Sequence, residues 1–271
     1  MRKTLFPLII VAAIVSCLSS CGNKEPEFQA KQLPGRFAIA EGVYVRFSSG
    51  NLQYQASTNT WRFADVQYGM IGEPNNEISS ANEGWIDLFG WGTSGNEGLA
   101  PYTTSTVYSD YIGTEENIAS TLYDWGQNNA IYGAGNTGDW FTLSQEEWAY
   151  LLKNHTTGLG KVEDVLGLII LPEDWEIPND CEFTKGTNYS KNNYTDILWQ
   201  HMEANGAVFL PAAGYRHAEQ TMNVGSFGFY WSTTAEGSHC AYYLYFGSGE
   251  INAKNANSRI NGYSVRLVQK I

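Results

Sequence analysis

Stretches of alternating and of helically spaced apolar positions follow one another along the chain. Val43-Tyr44-Val45-Arg46-Phe47 is β-branched and aromatic and is punctuated by Ser49-Gly50-Asn51. Leu52-Gln53-Tyr54 resumes the pattern, Ser57-Thr58-Asn59 turns it, and Trp61-Arg62-Phe63 returns, so the sequence predicts a small meander. Gly69 to Gly138 has no period and carries Trp85, Trp91 and Trp125 among glycines, asparagines, serines and threonines. Such a stretch reads as long loops packed by their own aromatics, with one short helix around Glu116 to Trp125. At Ser144 the period changes. Ser144 with Glu147 three residues on is a capping box, Glu146 and Glu147 suit the positive end of the helix dipole, and Trp148, Leu151 and Leu152 form a core-facing stripe. Leu166 to Leu171 is a short apolar run stopped by Pro172, which predicts a buried strand. A second helix is predicted from Thr195 to Asn205, capped by Thr195, ended by Gly206, with Ile197, Leu198 and Met202 inward. Ala207 to Leu210 enters another buried strand. The remainder is β: Phe229 to Trp231, a hairpin of Cys240 to Phe246 with Ile251 to Ala253 around Gly247-Ser248-Gly249, and Tyr263 to Val268, where Val265 and Leu267 alternate against Arg266. No fixed-period repeat and no linker after Gly35 interrupt residues 36–271, which read as one α+β domain.

The N-terminus carries an address. Arg2 and Lys3 precede an apolar run, Leu5 to Val15, which is too short to cross a bilayer and has the length of a secretory h-region. Leu18-Ser19-Ser20-Cys21-Gly22 follows and resembles the lipobox of bacterial lipoproteins. That resemblance implies a signal peptide over residues 1–20, removed by cleavage, and a lipid anchor on Cys21. Ile14-Val15-Ser16-Cys17 also fits, but would be cut inside the apolar run; an ordinary secreted protein with an incidental cysteine is the other alternative. Residues 21–35 are polar and aperiodic, a flexible tether. The acidic residues Glu25 and Glu27 resemble the surface-export signal of Bacteroidetes lipoproteins, so the expected location is the outer membrane, facing the cell surface.

Composition narrows the partners. Aromatics make 14% and charged residues only 16%, against roughly 25% in an average soluble protein, so the chain can bury a large core. The net charge of −12 excludes a partner held by phosphate neutralisation, and with it nucleic acid. With Cys21 lipidated, Cys181 and Cys240 remain as either a disulfide or two separate buried thiols. A bridge would close a long loop, worth on the order of 4 kcal/mol.

Four segments carry a further resemblance. They are Thr142-Leu143-Ser144-Gln145-Glu146-Glu147-Trp148, Gly206 to Arg216, Tyr230-Trp231-Ser232-Thr233-Thr234 and Gly262-Tyr263-Ser264-Val265-Arg266. In this order, and with Val45 to Trp61 before them, they resemble the Fibrobacter succinogenes major paralogous domain of Bacteroidetes surface lipoproteins. That family is similar in fold to C-type lectin-like domains and formylglycine-generating enzymes. The resemblance implies a C-type lectin-like fold, with two helices flanking small twisted antiparallel sheets, long loops, and termini close together.

Candidate chemistry is sparse. A formylglycine-type oxidase needs two neighbouring cysteines late in the chain, and Cys240 stands alone there. Calcium-dependent lectins use Glu-Pro-Asn in a late loop; Glu73-Pro74-Asn75 comes too early, and no Trp-Asn-Asp follows. Glu115-Glu116, Glu163-Asp164 and Glu173-Asp174 lack calcium-loop spacing and read as solvated faces. His155, His201, His217 and His239 have no zinc-motif companions, and no Gly-x-Ser-x-Gly elbow or phosphate-binding glycine loop appears. No metal, cofactor or catalytic activity is therefore expected. In Ala241 to Phe246, alternation puts Tyr242, Leu244 and Phe246 on one face, the expected core, and Tyr243 and Tyr245 on the other. Either the two tyrosines form a ligand platform, or loops cover both faces. The expected function is a surface-anchored, non-catalytic module binding a glycan or a surface protein. A structural or adhesive component of a surface assembly is the alternative, and a degenerate enzyme of the formylglycine-generating type the third.

Overall fold

In the computed structural model of the chain, residues 31–76 and 78–271 are described. The signal peptide, Cys17, Cys21 and most of the tether lie outside them. Ordered packing begins ahead of the expected end of the tether at Gly35: Gln32 bridges Ser48, and Leu33 is buried with its N–H on the Phe47 carbonyl.

The chain opens with β1 (Phe37–Ala40), β2 (Val43–Phe47), β3 (Leu52–Gln55), β4 (Thr60–Phe63) and β5 (Trp85–Ile86). After a long irregular stretch come α1 (Trp125–Asn128), β6 (Phe141–Thr142), α2 (Gln145–Asn154), β7 (Thr157–Val162), β8 (Val165–Ile170), β9 (Asn193–Tyr194) and α3 (Asp196–Ala204). The C-terminal part is β10 (Val208–Pro211), β11 (Tyr215–His217), β12 (Gln220–Met222), β13 (Gly228–Glu236), β14 (Cys240–Gly247), β15 (Glu250–Ser258) and β16 (Leu267–Lys270). The class is α+β, few helices among small sheets that are antiparallel except for the β7–β9 pair. Sheet orders are β1-β2-β16-β6, β10-β8-β7-β9, β13-β14-β15, β4-β3-β5 and β11-β12. The last strand sits between the second and the sixth, which brings the start and the end of the domain together. The expected meander is therefore divided: β3 and β4 form the hairpin, but β2 pairs with β1 and β16.

Both expected helices form. At α2, Ser144 accepts from the Glu147 N–H and Glu147 accepts from the Ser144 N–H; Trp148 and Leu151 are fully buried. At α3, Thr195 accepts from the Leu198 N–H. Its buried positions are Trp199 and Met202, whereas Ile197, expected inward, is 67% exposed. The indole of Trp199 takes the inward position because it fits between Tyr194 and Phe209. The short helix expected around Glu116 starts only at Trp125, since the preceding residues are turns closed by bonds such as Thr121 N–H to the Ile118 carbonyl.

Two sheets divide the interior into three apolar clusters. On β13–β14–β15, Tyr230, Leu244, Phe246 and Ala253 face the cluster under α2, while Phe229, Trp231, Ala241 and Tyr243 face a second one with Trp61, Trp91, Trp125 and Trp140. The β10–β8–β7–β9 sheet does the same between the first cluster and a third against α3. The central strands are thus covered on both sides, while the edge strand β15 keeps exposed positions such as Lys254 and Asn257.

Buried arginines fix the irregular stretch. Arg216 donates to the Ala218 and Thr103 carbonyls at 2.8 and 2.9 Å. Arg259 donates to the carbonyls of Cys240, Ile112 and Gly237 at 3.0, 2.7 and 2.7 Å and lies over the Trp91 ring at 4.1 Å. Arg266, which alternation put on the polar side of its strand, is 1% exposed and donates to Gln67 and Asn51. Burial lowers each guanidinium to about 10, still charged at neutral pH. Loop carbonyls that no strand or helix serves thus find donors.

Candidate functional site

The alternation of β11 builds one wall. Arg216 points inward, so Tyr215 and His217 share the outer side. The hairpin register sets Tyr215 opposite Met222, whose sulfur accepts the Tyr215 hydroxyl at 3.4 Å. Two Gly-Tyr dipeptides meet here. Arg216 and Gly262 exchange backbone hydrogen bonds at 2.8 and 2.7 Å, which sets Tyr263 next to Tyr215, ring centroids 6.2 Å apart. Space requires the first glycine and leaves little room at the second. A side chain at Gly214, where φ is +68°, would stand 2.3 Å from the Met222 carbonyl oxygen, and one at Gly262 3.1 Å from the Leu88 carbonyl oxygen.

The floor is aromatic. Tyr263 stacks on Trp231 at 4.2 Å and packs against Phe229 at 5.1 Å and Tyr243 at 4.9 Å. Its hydroxyl is hydrogen-bonded to Asn257 and Asn261, and burial pushes the phenol far above its ordinary range, so it stays a neutral donor. The rim is polar. His217 Nδ1 lies 2.9 Å from Asn261 Oδ1, and Ser258 Oγ donates to the Tyr108 hydroxyl at 3.3 Å. Tyr108 is 46% exposed and stands edge-on to His239 at 4.7 Å. The result is a cleft of about 570 Å³ lined by Tyr108, Tyr215, Phe229 and Tyr263 with Asn223, Asn257 and Asn261. That volume lies within the range of small-molecule sites. No carboxylate, lysine or arginine lines it, although the chain carries 28 acidic and 16 basic residues.

Two other hollows carry less chemistry. A groove of about 670 Å³ between α2 and β15 has an aliphatic floor of Ala149, Leu152, Ile251 and Ala253 and is the seam where the helix lies on its sheet. A hollow of about 330 Å³ is lined by Asp124, Asp139, Glu147 and Lys270, but the three carboxylates are used structurally, Asp139 accepting from the Asn136 N–H at 2.6 Å. Asp124 accepts from the Thr142 N–H and hydroxyl at 3.0 and 2.7 Å, and Glu147 closes its capping box. Burial raises the Asp124 carboxyl to about 7.

The expected platform is corrected. Tyr243 is 8% exposed under Phe229 and Tyr263, Tyr245 packs at 5.9 Å on Phe227 and 5.4 Å on Phe229, and Tyr242, expected in the core, is half-buried. The two tyrosines face the second cluster, so they support the cleft floor instead of forming a surface. The Cys181–Cys240 bridge is likewise not formed. Both thiols are free: Cys181 packs in the third cluster, 3.6 Å from the Leu198 carbonyl, and Cys240 heads β14, whose sheet separates the other two clusters. Glu73-Pro74-Asn75 holds no ligand position. Asn75 is buried and clasps Asp87, its amide nitrogen donating at 2.9 Å and its oxygen accepting from the Asp87 N–H at 3.0 Å. The three acidic pairs are exposed, and His155 is buried between the Leu171 and Ala38 carbonyls. Among the described residues no group of three His, Cys, Asp or Glu is placed to hold a metal ion. Sequence reasoning missed Tyr108, Tyr215, Phe229, Asn257 and Asn261; the signal available was the repeated Gly-Tyr at 214–215 and 262–263.

The chain is thus an α+β domain whose C-terminal sheets present an uncharged aromatic cleft. A family described as a domain of unknown function (DUF8237) matches residues 180–268, less than half of the chain, a span that takes in α3, β10 to β15 and every cleft residue named here except Tyr108. No curated protein and no solved structure matches the chain.

Proposed function

We propose that this chain is a surface-anchored, non-catalytic binding module of the Fibrobacter major paralogous type, with a C-type lectin-like fold, whose ligand site is the cleft between β11 and the Ser258–Tyr263 segment. The observation that carries the reading is the lining: aromatic rings below, primary amides, hydroxyls and the His217 imidazole at the rim, and no carboxylate, lysine or arginine. Such a surface binds by stacking and hydrogen bonding, and its one imidazole, His217, is held by Asn261 with no hydroxyl or thiol nucleophile paired to it. The cleft's shape needs Gly214 and is tight at Gly262, and both lie in the segments that carry the family resemblance. The lipid anchor on Cys21 would place the module in the outer membrane, held at the cell surface by the tether. The ligand is then a glycan or a surface protein. Arrays of glycans and of cell-surface proteins, probed with the wild type and with Tyr215→Ala, test the site; a ligand bound equally by both overturns it. The anchor is tested by labelled palmitate: uptake by Cys21→Ala but not by Cys17→Ala would move the lipidated residue to Cys17.

A further inference from the structure

We infer that the ligand of this cleft is an uncharged carbohydrate, held by stacking on Tyr215 and Tyr108 and by the amides of Asn257 and Asn261, without a metal ion. The inference rests on the cleft being the ligand site and names what that site selects. A pyranose ring presents an apolar C–H face and a perimeter of hydroxyls, and both halves have counterparts here. The accessible rings are Tyr215, half-buried on the wall, and Tyr108 at the mouth; Phe229 and Tyr263 lie deeper as a rigid floor. Aromatic side chains offer broad apolar faces at small entropic cost. At the perimeter, each primary amide supplies donors and an acceptor in one plane, which is what a pair of neighbouring hydroxyls needs. Asn257 is the exposed amide at the mouth, while Asn261, 7% exposed and fixed by His217 and by the Tyr263 hydroxyl, offers its remaining N–H from a preset position.

The alternatives fit less well. An acidic sugar or a phosphate-bearing ligand would lose its hydration in a cleft with no lysine or arginine, on a chain of net charge −12. A hard divalent cation would find amides and hydroxyls but no carboxylate among the lining residues. A peptide held at a hot spot is gripped through an apolar anchor pocket or a strand edge, whereas this rim is amide and hydroxyl.

The test is an immobilised panel of neutral oligosaccharides with their uronic and sulfated counterparts, probed in excess EDTA with the whole protein. The variants are Tyr108→Ala and Asn257→Ala, both exposed, with Lys153→Ala in the α2 groove as control, and melting temperatures confirm folding. Expected is binding to neutral glycans in EDTA, weakened about tenfold by either cleft variant and unchanged by the control. Loss of binding in EDTA, binding confined to the acidic members, or equal binding by the cleft variants overturns the proposal. A displayed peptide library run in parallel separates the two levels. Peptides captured in a Tyr108- and Asn257-dependent way, with no glycan bound, refute the carbohydrate and leave the cleft as a ligand site. If nothing bound depends on these residues, both readings fall.

Discussion

Tyr243 and Tyr242 are neighbours on β14, and the structure reverses the stability ranking that alternation assigns to them. Tyr243 is 8% exposed, with the rings of Phe229, Trp231 and Tyr263 at 5.9, 6.2 and 4.9 Å around it. Truncating a large buried aromatic to alanine leaves a cavity as well as losing the transfer energy, and costs about 3–5 kcal/mol. Burial on one side of the three-stranded sheet allows only partial collapse, so Tyr243→Ala should fall in that range. Tyr243→Phe keeps the ring and removes a hydroxyl bonded to Asn257 and Tyr263, a loss of about 1 kcal/mol. Tyr242 is half-buried and belongs to none of the three clusters, so Tyr242→Ala should cost about 1 kcal/mol. Urea unfolding of the four proteins, followed by tryptophan fluorescence, gives the differences directly. If Tyr243→Ala proves as mild as Tyr242→Ala, the burial of the Tyr243 face is wrong, and the cleft floor with it.

Other expectations are as direct. Asp124 ionises at about 7 in the folded chain against an ordinary 3.8, because it is buried. A raised carboxyl means that the folded state holds a proton which the unfolded state has released; this stability is complete below about pH 4 and is lost as pH rises through about 7, on the order of 4 kcal/mol. Melting temperatures of the wild type should therefore fall relative to Asp124→Asn between pH 4 and pH 8, and a pH-independent difference would refute the burial argument. Ser144→Ala should cost about 1 kcal/mol by opening the capping box, while Ile197→Ala, on an exposed helix face, should stay within about 0.5 kcal/mol; thermal unfolding ranks the two. Gly167→Ala would place a methyl 2.3 Å from the Phe209 ring and 2.6 Å from the Leu210 carbonyl oxygen, so it should destabilise by about 2 kcal/mol or more in the same assay, despite the better strand propensity.

Local signals in the sequence were sound where the chain obeys a single period. Ser144 and Glu147 announced α2 because capping involves only residues three apart, and Gly206, with φ at +93°, ended the second helix for the same local reason. The hairpin around Gly247-Ser248-Gly249 and the strands at Val165 and Val208 were legible from apolar runs bounded by turn residues. What failed needed partners distant in sequence. Ile197 has the spacing of a core residue, but α3 presents Trp199 to the third cluster because Tyr194 and Phe209 leave an aromatic gap there. Cys181 and Cys240 could be paired on paper; in the fold Cys181 packs in the third cluster while Cys240 is half-buried at the head of β14, and both thiols are free.

The cleft was hidden by an inversion of the usual rule that polar residues alternate outward. In Gly214-Tyr215-Arg216-His217, the alternation is intact, yet it is the arginine that points in and the tyrosine that points out. The reason is the irregular stretch between Gly69 and Gly138, whose carbonyls at Leu88, Thr103 and Ile112 have no sheet to serve them and take guanidinium donors from Arg216 and Arg259. A charge committed to the interior in this way is withdrawn from the surface around it. Arg216 sits directly behind Tyr215 and His217, and Arg259 directly after Ser258, so the residues that hold the loops also leave the adjoining cleft wall to aromatic and amide side chains. The neutrality of the cleft therefore follows from how the loops are tied down, and replacing Arg216 would disturb the site through Tyr215 and Gly262 without any change to a lining residue.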